Sequence, residues 1–235
     1  MKRADSRPEL LDGPLDPDVL CANLRDLKRV NRWLGGARLS VDAVRPFVVG
    51  APIKTEVTLL DVGTGAADIP RALVRALRSS RGGLLAVTAT DVRPEIIDVA
   101  REATARTTIE TREARLEDEA DGSFDLVHSS LVLHHLDKPE AMAFLGDAKR
   151  VAREAVVVND LGRGWLWFTG AWLLTRLVTR NAYTRNDAPL SVRRAYTPDE
   201  VVAMARQAEL RLVAHYRAFP GYRYALVFVP GNSGG

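Results

Sequence analysis

The sequence predicts an α/β protein built on a seven-stranded, mostly parallel sheet that ends in an antiparallel hairpin. Three observations carry that expectation. From Val57 onward, short apolar runs alternate with segments of helical spacing, the signature of βαβ units. The first run ends in Gly63-Thr64-Gly65, a turn that suits the junction of strand and helix in a ligand-binding fold. The last two runs are joined by Pro220-Gly221 with no helix between them, which reads as a hairpin turn.

Taken in order, residues 17–34 carry Val19, Leu20, Leu24, Leu27, Val30, Trp33 and Leu34 in steps of three and four. That spacing predicts an amphipathic helix. Asp16-Pro17 opens it, and Gly35-Gly36 closes it, as start and stop signals do. Residues 1–50 are expected to form an N-terminal helical cap, and 51–230 the main domain. Strands are expected at 57–62, 84–91, 108–113, 124–130 and 155–160, with helices at 69–79, 94–104 and 139–152 between them. Right-handed crossovers then bring the C-terminal ends of the strands to one edge. The pattern breaks at 163–195, an apolar helix followed by the polar, irregular run RNAYTRNDAPLSVRR. An insertion after strand five sits over the edge where ligands bind, so a helical lid is expected. A helix capped by Thr197, with Pro198 in its first turn, leads to the closing strands at 210–219 and 222–229.

Composition excludes several classes. Of 235 residues, 46% are hydrophobic and 27% charged, which rules out wholesale disorder. Cys21 is the single cysteine. No internal disulfide can form, no cysteine-based zinc site is possible, and a reducing, cytoplasmic setting is expected. The net charge of +3 is too mild to indicate a nucleic-acid partner. The N-terminus lacks the apolar core of a signal peptide. The most apolar stretch, 165–178, is 14 residues long and contains Arg176. A membrane span takes ~20 residues, so no span is expected, while peripheral contact with acidic headgroups stays open. The oligomeric state is left open.

The glycine turn separates three cofactor classes. A phosphate-binding loop would end in Gly-Lys-Ser/Thr, which is absent. A dinucleotide fingerprint would place Gly or Ala at 68, where Asp68 stands. A carboxylate there opposes pyrophosphate at a helix N-terminus. S-adenosylmethionine (SAM) has no phosphate, carries cationic amino and sulfonium groups, and offers a ribose diol, so acids suit it. Asp61 precedes the turn, Asp91 ends strand two, as ribose-binding carboxylates do, and Glu113 ends strand three.

LLDVGTGAAD, ATDVRPEII and DGSFDLVHSSLVLHHLDKP resemble three motifs of the class I SAM-dependent methyltransferases, of the type related to the ubiquinone and menaquinone enzymes. The similarity covers about residues 57–160. It implies a Rossmann-like seven-stranded fold, SAM as cofactor, S-adenosylhomocysteine (SAH) as product, and no metal. It also implies that Asp61, Gly63, Thr64, Gly65 and Ser129 face the cofactor. Asp91 would bind the ribose, Val92 would lie beside the adenine, and Glu113-Ala114 would match the family's adenine-contacting Asp-Ala. The family's third motif-I glycine is Ala67 here, and its Leu-Pro-Phe after the Asp-Ala is missing. Methylation of nucleic-acid amino groups would need an Asn/Asp-Pro-Pro-aromatic stretch where Ser129-Ser130-Leu131-Val132 stands.

Methyl transfer needs a positioned acceptor, and a phenol, titrating near pH ~10, also needs a base. His134 and His135 follow strand four, and Asp160 ends strand five. The expected arrangement is His135 oriented by Asp160, with His134 as the neighbouring candidate. His128 and His215 read as structural. Trp165, Trp167 and Trp172 in the lid, Arg194 at its end, and Trp33 in the N-terminal helix are the candidate acceptor contacts. The expected reaction is O-methylation of a small phenolic or quinonoid compound. C-methylation of a similar ring, or a non-catalytic SAM-binding role, are the alternatives.

Overall fold

The computed structural model describes residues 1–4, 35–53, 55–78, 82–178, 182–218 and 221–231. The expected helix 17–34 and Trp33 lie outside these. The described elements are α1 (Gly36–Gly50), β1 (Glu56–Val62), α2 (Asp68–Leu77), β2 (Leu84–Asp91), α3 (Pro94–Thr104), β3 (Glu110–Glu113), β4 (Phe124–Ser130), α4 (Lys138–Val151), β5 (Ala152–Leu161), α5 (Trp165–Val178), α6 (Ala182–Arg194), α7 (Pro198–Gln207), β6 (Leu210–Arg217) and β7 (Arg223–Pro230). Short 3-10 turns occupy Leu116–Asp118 and Leu133–His135.

The sheet has the order β3-β2-β1-β4-β5-β7-β6. β1, β2, β3, β4 and β5 pair in parallel, and β7 runs antiparallel to both β5 and β6. The chain winds outward from β1 in one direction, then returns to β4 and winds the other way. The C-terminal ends of β1 and β4 therefore flank the topological switch point, where open α/β sheets bind ligands.

Alternation along each strand divides the core. Leu59, Leu126, Val157 and Val227 face α1 and α2, while Leu60, Val127, Val156 and Phe228 face α4 and α7. Local signals fix the helix starts. Asp137 with Glu140, and Thr197 with Glu200, form capping boxes, each satisfying two otherwise orphaned backbone N–H groups.

One element was not read in detail, and one expectation needed correction. The stop expected at Gly35-Gly36 concerns a helix outside the described residues; within them, Gly36 begins α1. Gly35 is left-handed (φ 76°), and Gly36 lies so close to Arg223 that an added Cβ would sit 2.3 Å from its guanidinium. Leu39, Val44 and Val48 then pack α1 into the core beneath the sheet. The run expected to be irregular after α5 is helix α6. Its polar sequence supplies little helical drive. Contact with α5 and burial of Val192 and Arg194 hold it. No described helix is long and apolar enough to cross a membrane.

Candidate active site

β1 delivers the chain to the switch point and turns through two left-handed glycines, Gly63 (φ 67°) and Gly65 (φ 55°). At Gly63 the bare Cα is a packing requirement as well. A Cβ there would meet Val132 Cγ2 at 2.5 Å. Val132 immediately precedes the His134 turn, so this glycine lets the loop after β1 and the turn after β4 lie against each other. Ala67 is also left-handed (φ 52°) and serves as the N-cap of α2. An alanine stands there at the strain cost that a third glycine would avoid.

The loop is stitched to β2. Thr64 N–H donates to Thr90 O at 2.9 Å, and Gly65 N–H to Asp91 Oδ2 at 3.3 Å. Arg93 N–H donates to the other Asp91 oxygen at 3.2 Å. Burial pushes the Asp91 carboxyl above its ordinary value, against the Arg93 and Gly65 amides that pull it down. Asp91 pairs in register with Glu113, and its carbonyl accepts from Ala114 N–H. Glu113 and Val92 are exposed beside it. Ser129 is buried at the end of β4, in register with Val62 of β1 and Val158 of β5.

The turn after β4 brings the histidines to β5. Asp160 Oδ1 lies 2.7 Å from His134 Nδ1, and Asp160 Oδ2 accepts from the His134 backbone N–H at 3.1 Å. His134, not His135, is therefore the imidazole that Asp160 orients. His135 is half-buried and stacks on His134 with ring centroids 4.2 Å apart. Burial alone would raise the Asp160 carboxyl. His134, the Leu161 N–H and Arg223 outweigh it and hold the group below the ordinary carboxylate value.

Asp61 sits one layer under the loop. Its Oδ1 meets His128 Nδ1 at 2.6 Å, and His128 Nε2 meets Ser40 Oγ at 2.8 Å. Asn159 Nδ2 donates to Ser40 Oγ and to Gly36 O, while Asn159 Oδ1 accepts from Arg223 Nε at 2.8 Å. Arg223 Nη2 reaches Ser130 Oγ at 2.7 Å. Burial pushes the Arg223 guanidinium down to about 10. Asp61, expected to face the cofactor, thus spends one carboxylate oxygen on this chain, which ties β1, β4, β5 and β7 to α1. Ser40, Asn159 and Arg223 were not read from the sequence. A lone arginine amid the apolar residues of the last strand was the available signal.

Residues 60–158 match the family described as Methyltransferase domain. The chain carries a methyltransferase domain there, on a sheet with the fold of the SAM-dependent methyltransferases. Its fold matches a SAM-dependent methyltransferase from Aquifex aeolicus, at 20% identity and TM-score 0.62, covering 92% of this chain and 99% of that one. It also matches the mitomycin 7-O-methyltransferase, at 18% identity and TM-score 0.67, over 92% of this chain and 58% of that one. A third match is the magnesium protoporphyrin IX methyltransferase of Synechocystis PCC 6803, solved with bound SAH, at 16% identity and TM-score 0.55, over 94% and 90%. No curated protein matches the chain in sequence.

The residues present suit SAM. The bare Gly63-Thr64-Gly65 backbone gives close approach, and Asp91 offers a desolvated acceptor for a diol. The Thr64 hydroxyl oxygen is buried without a hydrogen-bond partner among the described residues, a polar group poised for a ligand. Among the described residues, no cluster of His, Cys, Asp or Glu is arranged to hold a metal.

The expected acceptor contacts divide. Trp167 turns inward and packs edge-on against Tyr222, beside the start of β7, at 6.0 Å. Trp165 and Trp172 point outward and are exposed. The α5 helix packs chiefly on α6. Arg194 is buried and caps the histidine turn instead. Its Nε donates to His134 O at 3.2 Å, and Nη2 donates to His135 O. Arg3 adds a second clamp, donating to Leu136 O at 2.6 Å while stacking over Tyr196. Both cations meet carbonyls at the C-terminal end of a helical turn, where positive charge is favoured.

Proposed function

We propose that this methyltransferase acts on a hydroxyl of a small apolar or aromatic acceptor, phenolic or quinonoid, and that His134 takes the acceptor proton. The carrying observation is the buried pair His134 Nδ1 and Asp160 Oδ1 at 2.7 Å, beside the switch point. With Nδ1–H donated to Asp160, the neutral imidazole keeps its lone pair on Nε2. That is the arrangement a general base requires. The second Asp160 oxygen anchors the His134 backbone, so one carboxylate fixes both the tautomer and the turn. Arg194 and Arg3 hold the same turn from behind.

SAM, when bound, supplies an activated methyl group for in-line displacement. The rest of the task is positional. Gly63 sets the distance between the cofactor loop and the histidine turn, Asp91 orients the ribose, and the buried Asp61–Arg223 chain keeps the strand ends in register. An O-methyltransferase among the structures of like fold agrees with oxygen as the acceptor atom.

The test is turnover of a panel of phenols and hydroquinones by His134→Ala and His135→Ala. The first should lower kcat by about 10²–10⁴, the range for a positioned proton acceptor, and leave SAM affinity within a few-fold. The second should do less. Loss confined to His135→Ala would move the base one residue, and two unaffected variants would remove it.

A further inference from the structure

The α5 helix has an outer face that the catalytic reading leaves unused. At 3.6 residues per turn, Trp172, Trp165, Arg176, Thr169, Leu173, Leu166, Leu177, Gly170 and Leu174 follow one another around an arc of about 200°. Every one of them is exposed. Trp165 is 67%, Leu166 70% and Leu177 75% exposed. The other flank, with Trp167 and Thr175, turns toward the protein. A helix apolar on nearly all sides is ordinarily buried, and this one is half uncovered.

The charge around it has one sign. No carboxylate occurs between Asp160 and Asp187, whereas Arg163, Arg176, Arg180 and Arg185 do. Asp160 and Asp187 are themselves buried, and Arg163 is engaged by Glu200 at 2.6 Å. Arg176 lies within the apolar arc, stacked 4.0 Å over the Trp172 ring. Its carbonyl accepts from Arg185 at 3.1 Å, which draws a second cation to the helix end.

We propose that the outer face of α5 docks on an anionic lipid surface, lying in the plane of the headgroups. The charge favours this occupant over a second copy of the chain. Arg176 in the arc and Arg185 at the helix end complement an anionic surface, whereas the same face on two copies would set these like charges against each other. An interfacial helix needs only one apolar stripe, rich in Trp and Leu, bordered by cations. Tryptophan and arginine side by side suit the level where acyl chain meets headgroup. The inference rests on this face alone and stands whatever acceptor the site takes.

Vesicle co-sedimentation tests it with the full chain. Vesicles of phosphatidylglycerol mixed with phosphatidylcholine should bind the protein, and pure phosphatidylcholine should bind it far less. Leu166→Ser combined with Leu177→Ser should weaken binding by roughly tenfold or more per leucine. Arg176→Gln should weaken it about fivefold, the share of one cation near an anionic surface, and added salt should erase that difference. Leu173→Ser, on the same arc, provides an independent check should the double variant misfold. No binding to either vesicle, or binding unchanged in the leucine variants, overturns the proposal. Equal binding to both vesicles overturns its anionic part. A dimer in gel filtration that the same variants dissolve, with no vesicle binding, assigns the face to a second copy instead.

Discussion

Gly63→Ala tests the idea that the cofactor loop and the histidine turn are set by one bare Cα. Two costs can be worked out separately. The left-handed backbone, φ 67°, costs a non-glycine residue about 1–2 kcal/mol. The new Cβ would lie 2.5 Å from Val132 Cγ2, far inside ordinary contact. Valine is stiff about χ1, so it cannot swing aside, and overpacking of this kind costs about 1–3 kcal/mol. The sum is roughly 2–5 kcal/mol, or on the order of 5–15 °C in Tm for a chain of this size. Val132→Ala removes only the second cost. In the Gly63→Ala/Val132→Ala protein the overlap should vanish while the backbone strain remains. Thermal or urea unfolding of all four proteins gives the coupling, expected at about 1–3 kcal/mol and favourable in the double variant. If the two single costs add to within about 0.5 kcal/mol, the loop and the turn are not in contact through this pair and the reasoning fails.

Three further outcomes are expected. Asp91→Asn keeps one acceptor oxygen but turns an amide toward the Gly65 or Arg93 N–H, so calorimetric SAM affinity should fall by about 10–150-fold, the scale of hydrogen bonds to a charged group. Asp160 has its folded pKa held below the unfolded value, so its stabilisation is fully present above pH ~4 and is lost as pH falls through the folded value. Asp160→Asn should therefore be destabilised by about 1–3 kcal/mol at pH ~7, with the gap to the parent narrowing in acid melts. A constant gap would deny the linkage. Arg194→Met removes a donor from each of two carbonyls of the histidine turn, which should lower Tm and, through a displaced His134, kcat more than acceptor KM. A change confined to KM would return Arg194 to the acceptor site.

The sheet was legible because its strands are short apolar runs bounded by glycines, prolines and acids, and such runs alternating with helical spacing admit few arrangements. The turn after β1 was legible for a related reason: a left-handed turn leaves a glycine signature, here Gly63 and Gly65. α1 was not. Its segment contains Pro46 and the β-branched Val41, Val44, Val48 and Val49, poor helix formers that packing against the sheet overrides. α6 was missed because a polar helix held by its neighbours has no apolar periodicity to show. The pairing of Asp160 with His134 instead of His135 turns on the phase of one 3-10 turn, which two adjacent histidines cannot reveal. Ser40 and Asn159 stand 119 positions apart. No local pattern announces such a contact.

The end of β5 shows how one strand serves two purposes. Successive side chains of a strand point to opposite faces, so Asn159 and Asp160 look in opposite directions. Asn159 faces the α1 side and closes the buried chain from Asp61 to Arg223. Asp160 faces the α4 side and meets His134. The same parity places Asp61, His128 and Ser130 on the first face, and Ser129 on the second. A network of hydrogen-bonded polar groups, costly to disturb once buried, thus lies under the edge on one side and fixes the strand ends. The groups assigned to the reaction stand on the other. His134 and the Leu161 N–H do most to hold the Asp160 carboxyl down, and Arg223, across the sheet, adds the smallest pull.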